Sequence, residues 1–154
     1  MKKRTSVMLM LLVALVASFT LPASSAEKVE KPLEAAAEKM LSTMPADFYQ
    51  VDPAVAQQQI ENAKPFILDV RESAEMAKGK IAGSTNIPIR DLPKMIAKLP
   101  DSKTAPILVY CQVGYRGGVG MTVLRMWGYT NVRNIKGGLD GWEKAGLPVV
   151  EKKS

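Results

Sequence analysis

In Ile107-Leu-Val-Tyr-Cys-Gln-Val-Gly-Tyr-Arg-Gly-Gly118, four apolar, β-favouring residues run straight into a loop built around one Cys, three glycines and an Arg. A short apolar run of this kind marks a strand buried on both faces. Beyond the loop, Val119, Thr122, Val123, Met126 and Trp127 fall at i, i+3, i+4, i+7 and i+8, which predicts a helix from near Gly117 to a stop at Gly128. Cys111 therefore stands at the C-terminal edge of a strand and at the N-terminus of a helix.

The flanking sequence repeats this alternation. Asp52-Pro53 opens a helix, Asp as N-cap and Pro at the first helical position, which runs to about Ala63. After the Lys64-Pro65 break, Phe66-Ile-Leu-Asp-Val70 is a second apolar strand, and it leads to Asp69 and Arg71 at the end where open α/β sheets gather their ligands. Glu72 to Lys78 reads as a short helix ended by Gly79, and Thr85 to Pro88 as a brief extended segment. Asp91 is placed to cap a helix with Leu92, Met95, Ile96 and Leu99 on one face. Asn131 to Ile135 is a further strand, Gly137-Gly138 leads into a helix from Leu139 to Ala145 with Trp142 inward, and Gly146 ends it. Strands alternating with helices at these spacings predict a single α/β domain over residues 49–150, with a mainly parallel central sheet flanked by helices on both faces.

The N-terminus is of another kind. Lys2, Lys3 and Arg4 precede an apolar run from Val7 to Leu21, then Pro22 and a small-residue site ending Ser24-Ser25-Ala26. This pattern predicts a signal peptide over residues 1–26, cleaved to leave a periplasmic or secreted protein. A retained membrane anchor is the alternative, but the run is shorter than the roughly 20 apolar residues that span a bilayer, so no stable membrane association is expected after cleavage. Residues 27–48 are expected to form a helical extension, with Leu33, Ala36, Ala37, Met40 and Leu41 along one face and Pro45 beyond its end. Residues 151–154 form a C-terminal tail.

Of the net charge of +6, the leader carries three units and leaves +3, with Lys interspersed among Glu and Asp rather than clustered. A mixed, solvated surface is expected and no nucleic-acid partner. The 154 residues contain one Cys and no His. That composition leaves no intrachain disulfide, no Cys-His or Ser-His pair and no His-based metal site, so no metal or cofactor is expected. Any chemistry at Cys111 must activate the thiol without imidazole. A helix N-terminus and a nearby cation both favour the thiolate, and here the amides of Gln112 to Gly117 and the Arg116 guanidinium are the candidates. The competing reading of Cys111 is a small buried core residue. A phosphate-binding Cys-x5-Arg loop needs one residue more than this one has, and no Gly-x4-Gly-Lys-Ser/Thr or G-x-G-x-x-G pattern occurs.

Asp69-Val-Arg-Glu72, Gly79-Lys-Ile-Ala-Gly-Ser-Thr-Asn-Ile-Pro88, Cys111-Gln-Val-Gly-Tyr-Arg116, and Gly137-Gly-Leu-Asp-Gly-Trp142 with Gly146-Leu-Pro-Val149 resemble, in order, the signatures of a single-domain rhodanese. The resemblance covers about Tyr49 to Val150. It implies a thiosulfate sulfurtransferase that holds sulfane sulfur as a persulfide and passes it to cyanide or another thiophilic acceptor. Carried over, Cys111 is the nucleophile, the amides of Gln112, Val113, Gly114, Tyr115 and Arg116 form the cradle, and the Arg116 side chain contacts the anion. Lys80 stands where the motif usually has His. Asp69 and Arg71 are expected to be a buried ion pair, Tyr115 to line the entrance, and Trp127 and Trp142 to belong to the core. Two other classes stay open: a carrier, redox-sensing or partner-binding module of the same fold, and a phosphatase or arsenate reductase. The partners expected are a small-molecule sulfur donor and a thiophilic acceptor.

Overall fold

A computed structural model describes residues 30–150. The expected leader and the tail beyond Val150 lie outside the described residues.

Five strands form one parallel sheet in the order β1-β5-β4-β2-β3: β1 Gln50–Val51, β2 Phe66–Asp69, β3 Thr85–Asn86, β4 Ile107–Tyr110 and β5 Val132–Ile135. Four α-helices accompany them: α1 Lys31–Ser42, α2 Pro53–Ala63, α3 Tyr115–Met126 and α4 Gly138–Lys144. Residues Ser73–Lys78 and Leu92–Lys98 form 3₁₀ turns, where the sequence pattern had suggested helices. Asp91 does not cap the second of these, since its own backbone is already helical, and the turn kinks at Met95 and leaves Ile96 exposed.

The central strand explains why both faces of the sheet are covered. All four residues of β4 are buried, and they alternate between two cores. Ile107, Val109 and Cys111 join Leu68, Val70, Ile87, Leu92, Met121, Leu124 and Val132 on the α3 side. Leu108 and Tyr110 join Ala56, Ile67, Ile135, Leu139 and Trp142 on the side of α2 and α4. A strand buried on both faces has no polar alternation to show, hence its continuous apolar run.

Two helices differ from their periodicity. In α3 the buried stripe is Gly117, Gly120, Met121 and Leu124, while Val119 is exposed and Thr122, Val123, Met126 and Trp127 are half-buried. The helix lies on the sheet through its glycines: a Cβ on Gly120 would stand 3.4 Å from each of Ile89, Val109 and Val70. In α1 only Met40 is buried, and Leu33 and Leu41 face outward. Close approach of α3 to β4 and β5 brings its N-terminus over the C-terminal ends of those strands.

Candidate active site

β4 ends at Tyr110, so Cys111 is the first residue off the strand, and α3 begins at Tyr115. The turn between them needs Gly114, whose φ of +100° is left-handed backbone that a side chain would strain. This turn directs the Gly114 N–H onto Cys111 Sγ, 3.2 Å away. The first α3 hydrogen bond runs from Gly118 N–H to Gly114 O at 2.9 Å. The amides of Tyr115, Arg116 and Gly117 thus have no carbonyl one turn back to bond, and they give this end of α3 its partial positive charge.

The start of the loop is held from another element. Leu139 and Asp140, at the beginning of α4, donate their N–H groups to the carbonyls of Cys111 and Gln112 at 2.8 and 2.9 Å. Gln112 turns its side chain inward: Oε1 accepts from Arg71 Nη1 at 3.1 Å and Nε2 donates to Asp140 Oδ1 at 2.5 Å. What Gln112 offers to the loop interior is its backbone. Arg71 and Asp69 are a fully buried ion pair, Nη2 to Oδ2 at 2.7 Å, and Arg71 also donates to Gly79 O at 2.9 Å. That pair ties β2 to the loop through Gln112.

Arg116 has a protein partner of its own beside the loop. Its guanidinium forms a fork with Glu75, Nη1 to Oε2 at 2.6 Å and Nη2 to Oε1 at 2.8 Å. The Arg116 hydrogen bonds hold the Glu75 carboxyl well below the usual range, at about 2, and the same hydrogen bonds raise the guanidinium further. Glu75 is itself fixed, because Oε2 accepts the Glu72 N–H at 3.0 Å in a reciprocal capping box. Cys111 is buried, Gly114 half-buried, and Val113 and Tyr115 exposed at the rim, Tyr115 to 84%. Sequence reasoning missed Glu75, Asp140 and Asn134, all brought in from distant positions. Asn134, on β5, donates from Nδ2 to Gly114 O at 3.2 Å. Among the described residues, no group of three or more His, Cys, Asp or Glu is placed to share a metal ion.

A buried sulfur with an amide on it, at the positive end of a helix, is an arrangement that stabilises a thiolate or one more sulfur bearing negative charge. Residues 52–145 match the family model for the rhodanese-like domain. A sulfurtransferase of Allochromatium vinosum is 29% identical over 102 residues, 66% of this chain and 94% of the relative. The human thiosulfate:glutathione sulfurtransferase is 31% identical over 95 residues, 54% of this chain and 83% of that protein. The crystal structure of a rhodanese-related protein from Thermoplasma volcanium superposes with a TM-score of 0.59 at 32% identity, covering 66% of this chain and 96% of the other.

Proposed function

The chain belongs to the rhodanese-like domain family, and we propose that it is a sulfurtransferase moving sulfane sulfur from thiosulfate or a similar donor to cyanide or a thiol. In the first step the Cys111 thiolate attacks the outer sulfur of the donor. The donor's S–S bond breaks and sulfite leaves with the electron pair. In the second, the acceptor attacks the outer sulfur of the Cys111 persulfide, the bond to Sγ breaks, and the thiolate is restored. No oxidant or reductant is consumed.

The observation that carries this reading is the Gly114 N–H on Cys111 Sγ at 3.2 Å, at the N-terminus of α3. Amides of Gln112 to Arg116 would hold the persulfide, and Arg116 would meet the anionic end of the donor once it shares its fork with Glu75. The names of the Allochromatium and human relatives support the reaction class. Export to the periplasm or beyond belongs to the same proposal and rests on residues 2–26 alone.

Intact mass after exposure to thiosulfate tests it. One added sulfur atom is expected, released by cyanide as thiocyanate, and Cys111→Ser should show neither. Equal thiocyanate formation by wild type and Cys111→Ser would sink the proposal. The burial of Cys111 favours a second reading, a carrier or sensing module whose thiol opens only to a partner. Sulfur loading without release to any small acceptor would select it.

A further inference from the structure

We propose that Asn134 is a positioning residue for the Cys111 loop, holding the Gly114–Tyr115 peptide in the orientation that sulfur transfer uses; this rests on the sulfurtransferase reading above. Asn134 lies on β5, paired in register with Gln50 of β1 and Val109 of β4, so its backbone is fixed from both sides. Its side chain is 95% buried beneath the first turn of α3, since the residue is only 5% exposed.

The two ends of its carboxamide are treated unequally. Nδ2 donates to Gly114 O at 3.2 Å, the carbonyl that also takes the first helical bond of α3. Oδ1 is buried with no partner. An orphaned acceptor in the interior is costly, and buried polar atoms are satisfied almost everywhere else in folded proteins. Stability alone therefore gives no reason to keep it. The reverse orientation of the amide would set Oδ1 against Gly114 O, acceptor against acceptor. Oδ1 is left without a donor because Nδ2 is committed to the loop.

That commitment reaches the sulfur in two steps. The C=O of Gly114 and the N–H of Tyr115 belong to one planar peptide and point in opposite directions, so a donor holding the carbonyl on the helix side turns the Tyr115 N–H out of the helix, toward the loop. The preceding peptide meets this one at the Gly114 Cα, where φ of +100° and ψ of −21° set the angle between the two planes, and it carries the N–H that rests on Cys111 Sγ. Gly117 completes the fit, because a Cβ there would overlap Asn134 Oδ1. Asn134 and Gly117 are thus matched to one another across two elements.

The test compares wild type, Asn134→Ala and Asn134→Leu in the full chain by three readouts: the pH profile of Cys111 alkylation with iodoacetamide, the single-turnover rate of loading from thiosulfate, and the urea midpoint. Loss of a donor that orders the thiolate's own hydrogen bond should move the alkylation midpoint up by about half a pH unit or more, and slow loading about three- to tenfold at neutral pH. The urea midpoint should stay close to wild type in Asn134→Ala, because the orphaned acceptor leaves together with the donor. Gly117→Ala should impair loading strongly in wild type and less in the Asn134→Ala background, where the overlap with Oδ1 is gone and only the close contact with the Tyr110 backbone, at 3.3 Å, remains. An unchanged alkylation profile and loading rate, or failure of both Asn134 variants to fold, overturns the assignment. If wild type forms no thiocyanate, the sulfurtransferase reading falls instead, and the alkylation profile still reports whether Asn134 sets the loop.

Discussion

Arg116 and Glu75 present a competition between charges. A carboxylate occupies both arms of the guanidinium at 2.6 and 2.8 Å, a bidentate geometry like the one an oxyanion of the donor would take. Both side chains remain about a third exposed, so the pair can exchange with solvent and with ligand. Glu75→Gln should weaken this internal competitor, lowering the KM for thiosulfate by about two- to fivefold and leaving kcat within about twofold. A raised KM would show instead that Glu75 orients Arg116 for the donor. The same pair has a pH signature. The carboxyl of Glu75 is held down to about 2 in the fold, against 4.5 for the free side chain, so its contribution to stability is full above about 4.5 and fades as pH falls toward 2. Urea unfolding of wild type and Glu75→Gln should therefore differ by a constant amount from pH 8 to 5 and converge below that. Glu75 stands 41 positions from Arg116, and no local pattern announces a contact at that separation. Cys111 and Arg116 were legible because the loop holding them is continuous in sequence.

Two helix N-termini, those of α3 and α4, converge on the loop by different means, and glycine decides both. α4 starts at Gly138, whose φ of +61° lets Leu139 and Asp140 aim their amides at the carbonyls of Cys111 and Gln112. A Cβ at Gly138 would run into those same two carbonyls. Gly138→Ala is expected to cost about 2–4 kcal/mol and to abolish sulfur loading, because it pushes the loop away from α4. Gly146 shares the left-handed backbone, with φ +71°, but faces open space. Gly146→Ala should cost only about 1–2 kcal/mol and leave loading untouched, and thermal melts beside single-turnover loading would separate the two. Similar loss at both positions would mean that backbone strain, not the contact with the loop, governs Gly138. The same chemistry limits what periodicity reveals. The strands β2 and β4 were readable as apolar runs, whereas α3 buries Gly117 and Gly120, residues that carry no hydrophobic signal. With half of its buried face carrying no signal, a count of apolar side chains picked the neighbouring flank, in which Val119 is exposed and Thr122, Val123, Met126 and Trp127 are half-buried. The two 3₁₀ turns defeated the reading for a related reason, since six and seven residues are too few to show whether the period is 3.0 or 3.6.

Across the whole molecule, α3 works as a rod with a reactive end and a structural end. Its 12 residues span about 18 Å, and Arg116 beside the loop stands about 13 Å along the axis from Arg125 near the far terminus. At that far end Arg125 lies over the Tyr49 ring, 3.4 Å from its centroid, and bonds Val132 O through Nε and Nη2 at 3.2 and 3.0 Å. α1 closes over this cluster: Met40 is buried there, and the Tyr49 hydroxyl donates to Thr43 O at 2.7 Å. α1 therefore acts as a cover for Tyr49, just before β1, and for the end of α3 remote from Cys111. A chain beginning at Pro45 should lose about 2–4 kcal/mol relative to one beginning at Glu27, from the uncovered Met40 contacts and the lost Tyr49 hydrogen bond. Its Cys111 alkylation profile and its rate of loading from thiosulfate should match those of the longer chain, because the buried stripe of α3 from Gly117 to Leu124 is anchored on β4 and β5 without help from α1. Loading that declines in step with stability would contradict this division, and would show that α1 sets the position of α3 along the sheet and with it the amides around the sulfur.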